Sequence, residues 1–297
     1  MTIDLLLIAG GLVLLYLGAE GLVGGSSSLA LQLGLSPLLV GLTVVAFGTS
    51  TPELTVSLLA ALDGQGAISV GNVVGSNICN IGLILGLSAL VRPLRTSSQI
   101  VHIDVPLMIG VTVLAVVLLA GGSIGRATGA LFCLILAGYC VFSIRLARRS
   151  QADVLAEDFG KELRVSRRGL ALDALWVVGG LGLLVAGSRL MVDGAVGMGR
   201  ALGWSEAVIG LTVVAVGTSL PELAASVLAA VRGESDIAIG NIVGSNIFNL
   251  LAILGLSALA HPIDATGIAL SDLLVMLGFA VLGYLVAGIL IGPVLGL

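Results

Sequence analysis

The chain has 297 residues, of which 58% are hydrophobic and 10% are charged, and its mean hydropathy is +1.18. Soluble domains carry about 25% charged residues, so this composition excludes a soluble globular protein and predicts a chain that lies mostly in a lipid bilayer. The formal net charge of −4 says little about partners; no nucleic-acid partner is expected, because membrane topology accounts for the run of basic residues between Arg145 and Arg168. The three cysteines lack the spacing of a disulfide framework or a metal knuckle.

Apolar segments of about 20 residues, the length that crosses a bilayer core, recur along the whole chain. The 43 glycines and the low aromatic content of 4% are typical of closely packed membrane helices. Strands of alternating polarity are not evident, so the sequence predicts an all-α polytopic membrane protein and not an outer-membrane barrel. Hydropathy and turn residues place the spans at 3–23, 37–62, 69–91, 101–121, 127–147, 170–192, 206–231, 237–260 and 267–290.

A charged segment separates the fifth predicted span from the sixth. Seven of the 13 lysine and arginine residues lie between Arg145 and Arg168. Because cytoplasmic loops are enriched in these residues, the loop 148–168 is predicted to be cytoplasmic and the N-terminus to lie outside. The expected location is the cytoplasmic (inner) membrane, which the chain crosses several times.

Residues 41–93 recur at 210–262 without a gap. At an offset of 169, 34 of the 53 positions are identical. Since five predicted spans separate equivalent points, the second copy must insert upside down, as in the inverted-topology repeats of secondary transporters. The predicted organisation is a first transmembrane repeat at 1–147, a charged loop at 148–168 and a second, inverted repeat at 169–297.

The second repeat is shorter than the first at its C-terminal end. After Pro262 only 35 residues remain, and they contain one clear apolar span. The sequence therefore predicts nine spans, with the last helix of the second repeat missing. A tenth span would require 266–297 to form two short segments, broken near Gly283 or Gly288.

Each copy of the repeat places one carboxylate in an otherwise apolar run. In the first copy, GTSTPE, the proline lacks an N–H and disfavours helical geometry at the residue before it. Carbonyls near Ala46 and Phe47 are therefore expected to lose their helical partners, which is costly in lipid unless a cation binds them. Together with the hydroxyls of Thr49 and Ser50 and the carboxylate of Glu53, they form a hard-oxygen cluster suited to Na⁺ or Ca²⁺.

The next predicted helix carries further polar side chains. Ser76 and Asn80, four residues apart, share one face of that helix. The second copy carries the same residue types at the equivalent positions: Thr218, Ser219, Glu222, Ser245 and Asn249. For any one Ser, Thr or Asn, an interhelical hydrogen bond is the more common role. That alternative fails for Glu53 and Glu222, because an ionised acid near the bilayer centre costs about 3 kcal/mol or more, so both are predicted to bind an ion.

The two motifs, GTSTPEL…GNVVGSNICN and GTSLPEL…GNIVGSNIFN, resemble the α-repeats of the sodium/calcium exchanger family within the cation/calcium exchanger superfamily. The resemblance is strongest over 41–93 and 210–262 and extends over nearly the whole chain. It implies an antiporter that moves Ca²⁺ against Na⁺ by alternating access. Ca²⁺ and Na⁺ are then transported substrates, and no cofactor is expected.

Carried over by position, the resemblance implies a central Ca²⁺ site made by Glu53 and Glu222 with the backbone oxygens of Thr49 and Thr218. It also implies flanking Na⁺ sites, which are related by the pseudo-symmetry of the repeats. The implied Na⁺ ligands are Ser50, Thr218 and Ser245 with the Ala215 carbonyl, and Thr49 and Ser76 with the Ala46 carbonyl.

The family's third- and eighth-helix positions fall on Asn80 and Asn249. Many members carry an aspartate at one of them, so the two amides here remove a third carboxylate and argue against a coupling proton or K⁺ at that position. The resemblance further implies that the first and sixth helices slide as a gating pair. Gly10-Gly11 and Gly179-Gly180 are the expected close contacts of that pair.

Exchange of Ca²⁺ for Na⁺ is the favoured function, because paired hydroxyl groups suit Na⁺ and a proton carrier does not need them. A Ca²⁺/H⁺ antiporter of the same fold is the first alternative. A passive cation channel is a weaker alternative, since no ring of charged residues is visible. An enzyme is not predicted, because the sequence shows no nucleophile beside a base and no cofactor fingerprint. The sequence leaves the oligomeric state open.

Overall fold

The computed structural model describes residues 1–95, 97–157, 169–204 and 215–295. In this part of the chain, six helices are long and apolar enough to cross a membrane, and α2 with α3 would add a seventh span as a pair bent by 48°. The helices are α1 (Thr2–Leu33), α2 (Pro37–Thr49), α3 (Thr51–Leu62), α4 (Gly66–Val91), α5 (Ile100–Leu119), α6 (Arg126–Glu157), α7 (Leu170–Ala201), α8 (Ala215–Thr218), α9 (Leu220–Arg232), α10 (Ser235–Ala260) and α11 (Leu270–Leu295).

The helices follow the predicted order, and several of their bounds differ from the prediction. α8 and α9 stand where the repeat predicts the counterpart of α2 and α3, and the predicted start of that span, 206–214, lies outside the described residues. α11 is continuous, so the alternative of two segments broken near Gly283 or Gly288 is wrong. α6 continues to Glu157, so 148–157, predicted as loop, is helical. That stretch contains no glycine or proline that would end a helix.

α1 and α7 are both longer than predicted, with 32 residues each. The hydropathy of α1 falls after residue 23 because small and polar residues follow, but Ser26 and Ser28 of this stretch are buried in the protein. α1 ends at Gly34, which adopts φ 63°, a left-handed conformation that glycine tolerates without strain. Burial against the protein therefore extends these two helices beyond the segments that hydropathy identifies.

Glycines bring the backbones of α1 and α7 into direct contact. A Cβ atom at Gly11 would lie 2.7 Å from the Gly187 carbonyl oxygen, and one at Gly18 would lie 2.8 Å from the Gly180 carbonyl oxygen. The two helices run antiparallel, and the contacting glycines are seven residues apart on each. The predicted contacts at Gly10 and Gly179 are wrong, since a Cβ atom at either position would have no described neighbour within 4 Å.

A short antiparallel pair of strands ties the two repeats together outside the helices. β1 (Ser123–Ile124) pairs with β2 (Ile263–Asp264), and Ile124 and Ile263 are buried there. The carboxylate of Asp264 accepts a hydrogen bond from the Thr266 N–H at 2.9 Å, which lowers the pKa of that exposed group. This connection joins the loop after α5 to the loop after α10.

Candidate ion-binding site

Both carboxylates of the repeat lie in the first turn of a half-helix. α3 and α9 begin directly after Ser50 and Ser219, whose ψ angles of 8° and 7° interrupt the helical backbone. In each half-helix a proline takes one of the first two helical positions, where an N–H has no partner to lose. Glu53 and Glu222 therefore lie near the positive ends of helix dipoles, which stabilise negative charge.

The break at Ser50 disturbs fewer carbonyl groups than the sequence predicts. The Ala46 carbonyl still accepts a hydrogen bond from the Ser50 N–H at 3.0 Å, and the Phe47 carbonyl accepts one from the Thr51 hydroxyl at 3.1 Å. The prediction that the helical partner is lost is wrong for Ala46, because the chain bends only after Ser50, whereas the partner shown for the Phe47 carbonyl is a side-chain hydroxyl. The Ala46 carbonyl as a Na⁺ ligand stays a prediction. The Ala215 carbonyl also stays a prediction, because the side chain of Ala215 is not among those that the structure describes.

Each serine at a break binds the carboxylate of the other repeat. The Ser50 hydroxyl donates to Glu222 Oε1 at 2.9 Å, and the Ser219 hydroxyl donates to Glu53 Oε1 at 3.2 Å. The two glutamates are each only 1% exposed. The inverted repeats thus bring both carboxylates to one buried place, where each is held by a hydroxyl from the opposite half.

Four asparagines form a second set of contacts between the repeats. Asn80 donates to Asn246 Oδ1 at 3.2 Å, and Asn249 donates to Asn77 Oδ1 at 3.0 Å. Asn80 and Asn249 each begin a π-helical turn, a distortion that often marks functional sites. The turn at Asn80 packs on α9 and the turn at Asn249 packs on α3, so each turn contacts the half-helix that carries the glutamate of the other repeat.

Five oxygen atoms of predicted ligands are buried without a hydrogen-bond partner among the described residues. They are Glu53 Oε2, Glu222 Oε2, Asn80 Oδ1, Asn249 Oδ1 and Ser245 Oγ. Buried polar atoms nearly always have a partner, so a group of unpaired oxygens indicates a missing one. Two carboxylates, two amide oxygens and a hydroxyl are the hard ligands that Ca²⁺ and Na⁺ prefer.

The remaining predicted ligands take different positions. Ser76 is buried on α4, while Thr218 is half-buried and lines a cavity described below. The Thr49 hydroxyl is buried and lies 3.0 Å from Asn241 Oδ1, to which it donates. Its proton is shared between this bond, which links α2 to α10, and the Ala46 carbonyl at 3.3 Å, so only its oxygen lone pairs could bind an ion.

Two asparagines that were not predicted to belong to the site donate hydrogen bonds to the backbone carbonyls of the glutamates. Asn72 Nδ2 donates to the Glu53 carbonyl at 3.2 Å, and Asn241 Nδ2 donates to the Glu222 carbonyl at 3.4 Å. They occupy equivalent positions in the two repeats. Both copies of the motif GN(V/I)VGSN contain this asparagine, and that recurrence is the sequence feature that could have identified it. Asn241, which is fully buried, also holds Thr49, so it joins α2, α9 and α10.

Asn241→Ala is expected to lower the free energy of unfolding by about 1–3 kcal/mol, because it removes the hydrogen bonds of Asn241 to the buried hydroxyls of Thr49 and Ser226, and Thr49 keeps only its longer contact with the Ala46 carbonyl at 3.3 Å. Ca²⁺ affinity is expected to fall with it, since Glu222 loses its support. The matched control is Asn72→Ala, at a half-buried position without a bond to a threonine. Thermal unfolding in detergent, with and without Ca²⁺, measures both effects. Equal losses in the two variants would contradict the special role of Asn241.

A cavity of about 250 Å³ leads from one face of the protein toward the site. α3 contributes Thr51, α7 contributes Arg189 and Asp193, and the α8 end contributes Gly217 and Thr218. These last residues lie next to Ser219, so the cavity reaches the edge of the carboxylate site. On the opposite face, α1 packs along α9. The two ends of the site are therefore not equivalent in this structure.

The family follows from a comparison of the whole chain with known proteins. Residues 3–145 and 172–295 match the sequence profile described as sodium/calcium exchanger protein. The chain belongs to the sodium/calcium exchanger family. The profile spans both repeats, so this member carries the two halves that the glutamate site requires.

Relatives and a solved structure agree with this assignment. This exchanger-family chain is 40% identical to the inner membrane protein YrbG of Escherichia coli, over 93% of this chain and 86% of that protein. It is 32% identical to the sodium/calcium exchanger MaX1 of Methanosarcina acetivorans, over 91% and 87% respectively. A structure of the sodium-calcium exchanger NCX_Mj superposes with a TM-score of 0.83 at 30% identity, covering 96% of this chain and 91% of that one. The shared fold contains the inverted repeats.

Proposed function

We propose that the protein is a secondary active antiporter that exchanges Ca²⁺ for Na⁺ by alternating access. The observation that carries this proposal is the buried pair Glu53 and Glu222, one from each inverted repeat, each with an unpaired oxygen. Ionisable residues inside a membrane protein commonly mark an ion pathway. In transporters with inverted repeats, such sites lie near the bilayer midplane, where the halves meet.

The charge of the site gives a reason for exchange. Two carboxylates neutralise one Ca²⁺, and three Na⁺ would leave one positive charge in excess. An empty site would keep two uncompensated negative charges away from water, which is costly. The conformational change is therefore favoured only with an ion load, and this couples the movement of one ion to the return of the other.

Na⁺ is favoured over H⁺ as the coupling ion because hydroxyl oxygens accompany the carboxylates. Ser50 and Ser219 touch the glutamates directly, and Ser245 has an unpaired buried oxygen. The relative MaX1 of Methanosarcina acetivorans is named as a sodium/calcium exchanger. Ca²⁺/H⁺ exchange is the second candidate, since the same two carboxylates could each take up a proton.

The proposed location is the cytoplasmic membrane, with the N-terminus outside. The concentration of basic residues between Arg145 and Arg168 supports a cytoplasmic side for 148–168. The repeats at 1–147 and 169–297 then insert in opposite orientations. With nine spans, the C-terminus is cytoplasmic, and a C-terminal tag should be protected from protease in intact cells.

Flux measurements in proteoliposomes test the coupling ion. A Na⁺ gradient directed outward is expected to drive Ca²⁺ accumulation, because Na⁺ leaving the vesicle is exchanged for Ca²⁺ entering it. A pH gradient of equal size, imposed without Na⁺, is the matched condition and is expected to drive none. Accumulation driven by the pH gradient alone, with no effect of Na⁺, would contradict Na⁺ coupling and favour Ca²⁺/H⁺ exchange.

A further inference from the structure

An ion pair joins the two repeats on the face where α1 packs along α9. Arg232, the last residue of α9, is paired with Glu20 of α1, and the side chains are 34% and 29% exposed. Beside it, Arg92 donates to the Val231 carbonyl at 2.9 Å. A Cβ atom at Gly24 of α1 would lie 3.1 Å from Arg232 Nη1, so the glycine leaves room for the guanidinium. Polar contacts therefore fasten the end of α9 to α1.

The equivalent helices of the other repeat, α7 and α3, are less closely packed against each other. α7 makes few contacts with α3, and the cavity of about 250 Å³ and a wider one of about 750 Å³ lie between them. Arg189 and Asp193 of α7 line both cavities, and both side chains are exposed. Among the described residues, Arg189 takes part in no ion pair. The wall of these cavities thus carries a cation that forms no ion pair within the described part of the chain in this state.

The repeat supplies that partner. The offset of 169 places Arg189 at the position of Glu20, and Arg232 at the position of Asp63. Asp63 caps the end of α3 as Arg232 ends α9, and it is exposed. Each face of the protein therefore has one acid and one base at equivalent positions. On one face the acid lies on α1 and the base on α9, and on the other face the base lies on α7 and the acid at the end of α3.

We propose that Asp63 and Arg189 form the counterpart of the Glu20–Arg232 ion pair when the carrier faces the other way, so that the two pairs act as alternating gates. This inference rests on the alternating access proposed above. α1 and α7 pack along their whole length and behave as one unit. A shift of that unit that separates Glu20 from Arg232 carries Arg189 toward Asp63.

Glu20 and Arg232 are partly exposed and Asp63 and Arg189 are exposed, which suits a gate. An exposed ion pair changes an equilibrium by about fivefold at most, so neither face would be locked. Two pairs of similar strength compensate each other, because one forms as the other breaks. The carrier can then change sides without a large net cost in charge pairing, and the bound ions decide the direction.

Asp193 is the competing partner for Arg189. It lies one helical turn from Arg189 on α7 and occupies the position equivalent to Gly24. A pair within α7 would persist in both states and could not act as a gate. The experiment therefore compares Asp63 with Asp193.

Cysteine cross-linking in the full-length protein tests the geometry without a transport assay. In a background where Cys79, Cys133 and Cys140 are replaced by serine, one variant carries Glu20→Cys with Arg232→Cys. A second variant carries Asp63→Cys with Arg189→Cys. Both pairs are expected to cross-link, and adding Glu20→Ala to the second variant should raise its cross-linking rate by about threefold, because weakening one gate populates the other state. Failure of the second pair to cross-link, or no response to Glu20→Ala, would overturn the proposal.

Charge exchange tests the same pair through function. Asp63→Arg and Arg189→Asp are each expected to slow Ca²⁺ exchange about threefold or more, and the double variant to recover to within about twofold of the wild type. Asp193→Asn should change the rate less than about twofold. A large loss in Asp193→Asn without rescue in the double variant would overturn the gate. A wild-type protein that moves no Ca²⁺ would instead overturn the antiport proposal, and the cross-linking result would then decide the gate alone.

Discussion

Glu222→Gln is expected to lower the rate of Ca²⁺ exchange by about two orders of magnitude or more. The substitution removes one of two buried carboxylates, so bound Ca²⁺ would keep an uncompensated charge in a site that is closed to solvent. The amide oxygen can still accept the hydrogen bond that Ser50 donates at 2.9 Å, so the variant should fold. Glu53→Gln is expected to behave in the same way. Ca²⁺ uptake into proteoliposomes under a Na⁺ gradient is the measurement.

The control for charge alone is Asp272→Asn, which removes an exposed carboxylate from the first turn of α11. It should transport at the wild-type rate. Ca²⁺ binding adds a second readout, because a ligand at 100 times its Kd stabilises the folded state by about 2.7 kcal/mol. The wild type should therefore unfold at a higher temperature with Ca²⁺ and at a lower one after chelation, whereas Glu222→Gln should respond to neither. Normal flux in Glu222→Gln would exclude this residue from the site.

Gly180→Ala is expected to destabilise the protein by about 1–3 kcal/mol through overpacking, although alanine is the better helix former. The new Cβ atom would lie 2.5 Å from the Leu22 nitrogen and 2.7 Å from the Gly18 carbonyl oxygen. These are backbone atoms, so α1 and α7 must move apart along their contact. Exchange should slow as well, because this pair of helices carries the proposed gates. The midpoint of thermal unfolding in detergent measures the loss.

The matched control is the neighbouring Gly179→Ala. A Cβ atom at Gly179 would have no described neighbour within 4 Å, so the gain in helix propensity of up to about 1 kcal/mol is unopposed. The two substitutions are chemically identical and adjacent, yet the expected signs of the stability change are opposite. A loss of equal size in both variants would show that helix propensity or lipid contact, and not backbone packing, decides the effect.

Much of the architecture could be predicted because its signals are local or repeated. Apolar runs identified the spans, and the repeat with its odd number of spans identified the inverted halves. Glu53 and Glu222 stood out because a carboxylate is costly in lipid wherever the chain folds. Those inferences need only the sequence and the properties of the bilayer. The matching family profile confirms the family, and the superposition on a solved exchanger structure confirms the architecture.

The details that the sequence did not predict depend on which helices meet. Nothing local indicates that Ser50 binds Glu222 and not the glutamate of its own repeat. The role of Asn241 likewise exists only once α2, α9 and α10 converge. The crossing of α1 and α7 decides which glycine of each adjacent pair faces the partner helix. The sequence alone therefore could not show that Gly11 and Gly180, and not Gly10 and Gly179, make the contacts.

The glycine contact between α1 and α7 has the form of a symmetric dimer interface. Gly11 meets Gly187 while their equivalents, Gly180 and Gly18, meet each other, so the same surface faces itself across the contact. Such an isologous interface is what two copies of one subunit form about a two-fold axis. Any residue change in one copy is consequently met by the unchanged surface of the other. A substitution on the contact surface of α1 therefore requires a compensating substitution on the facing surface of α7.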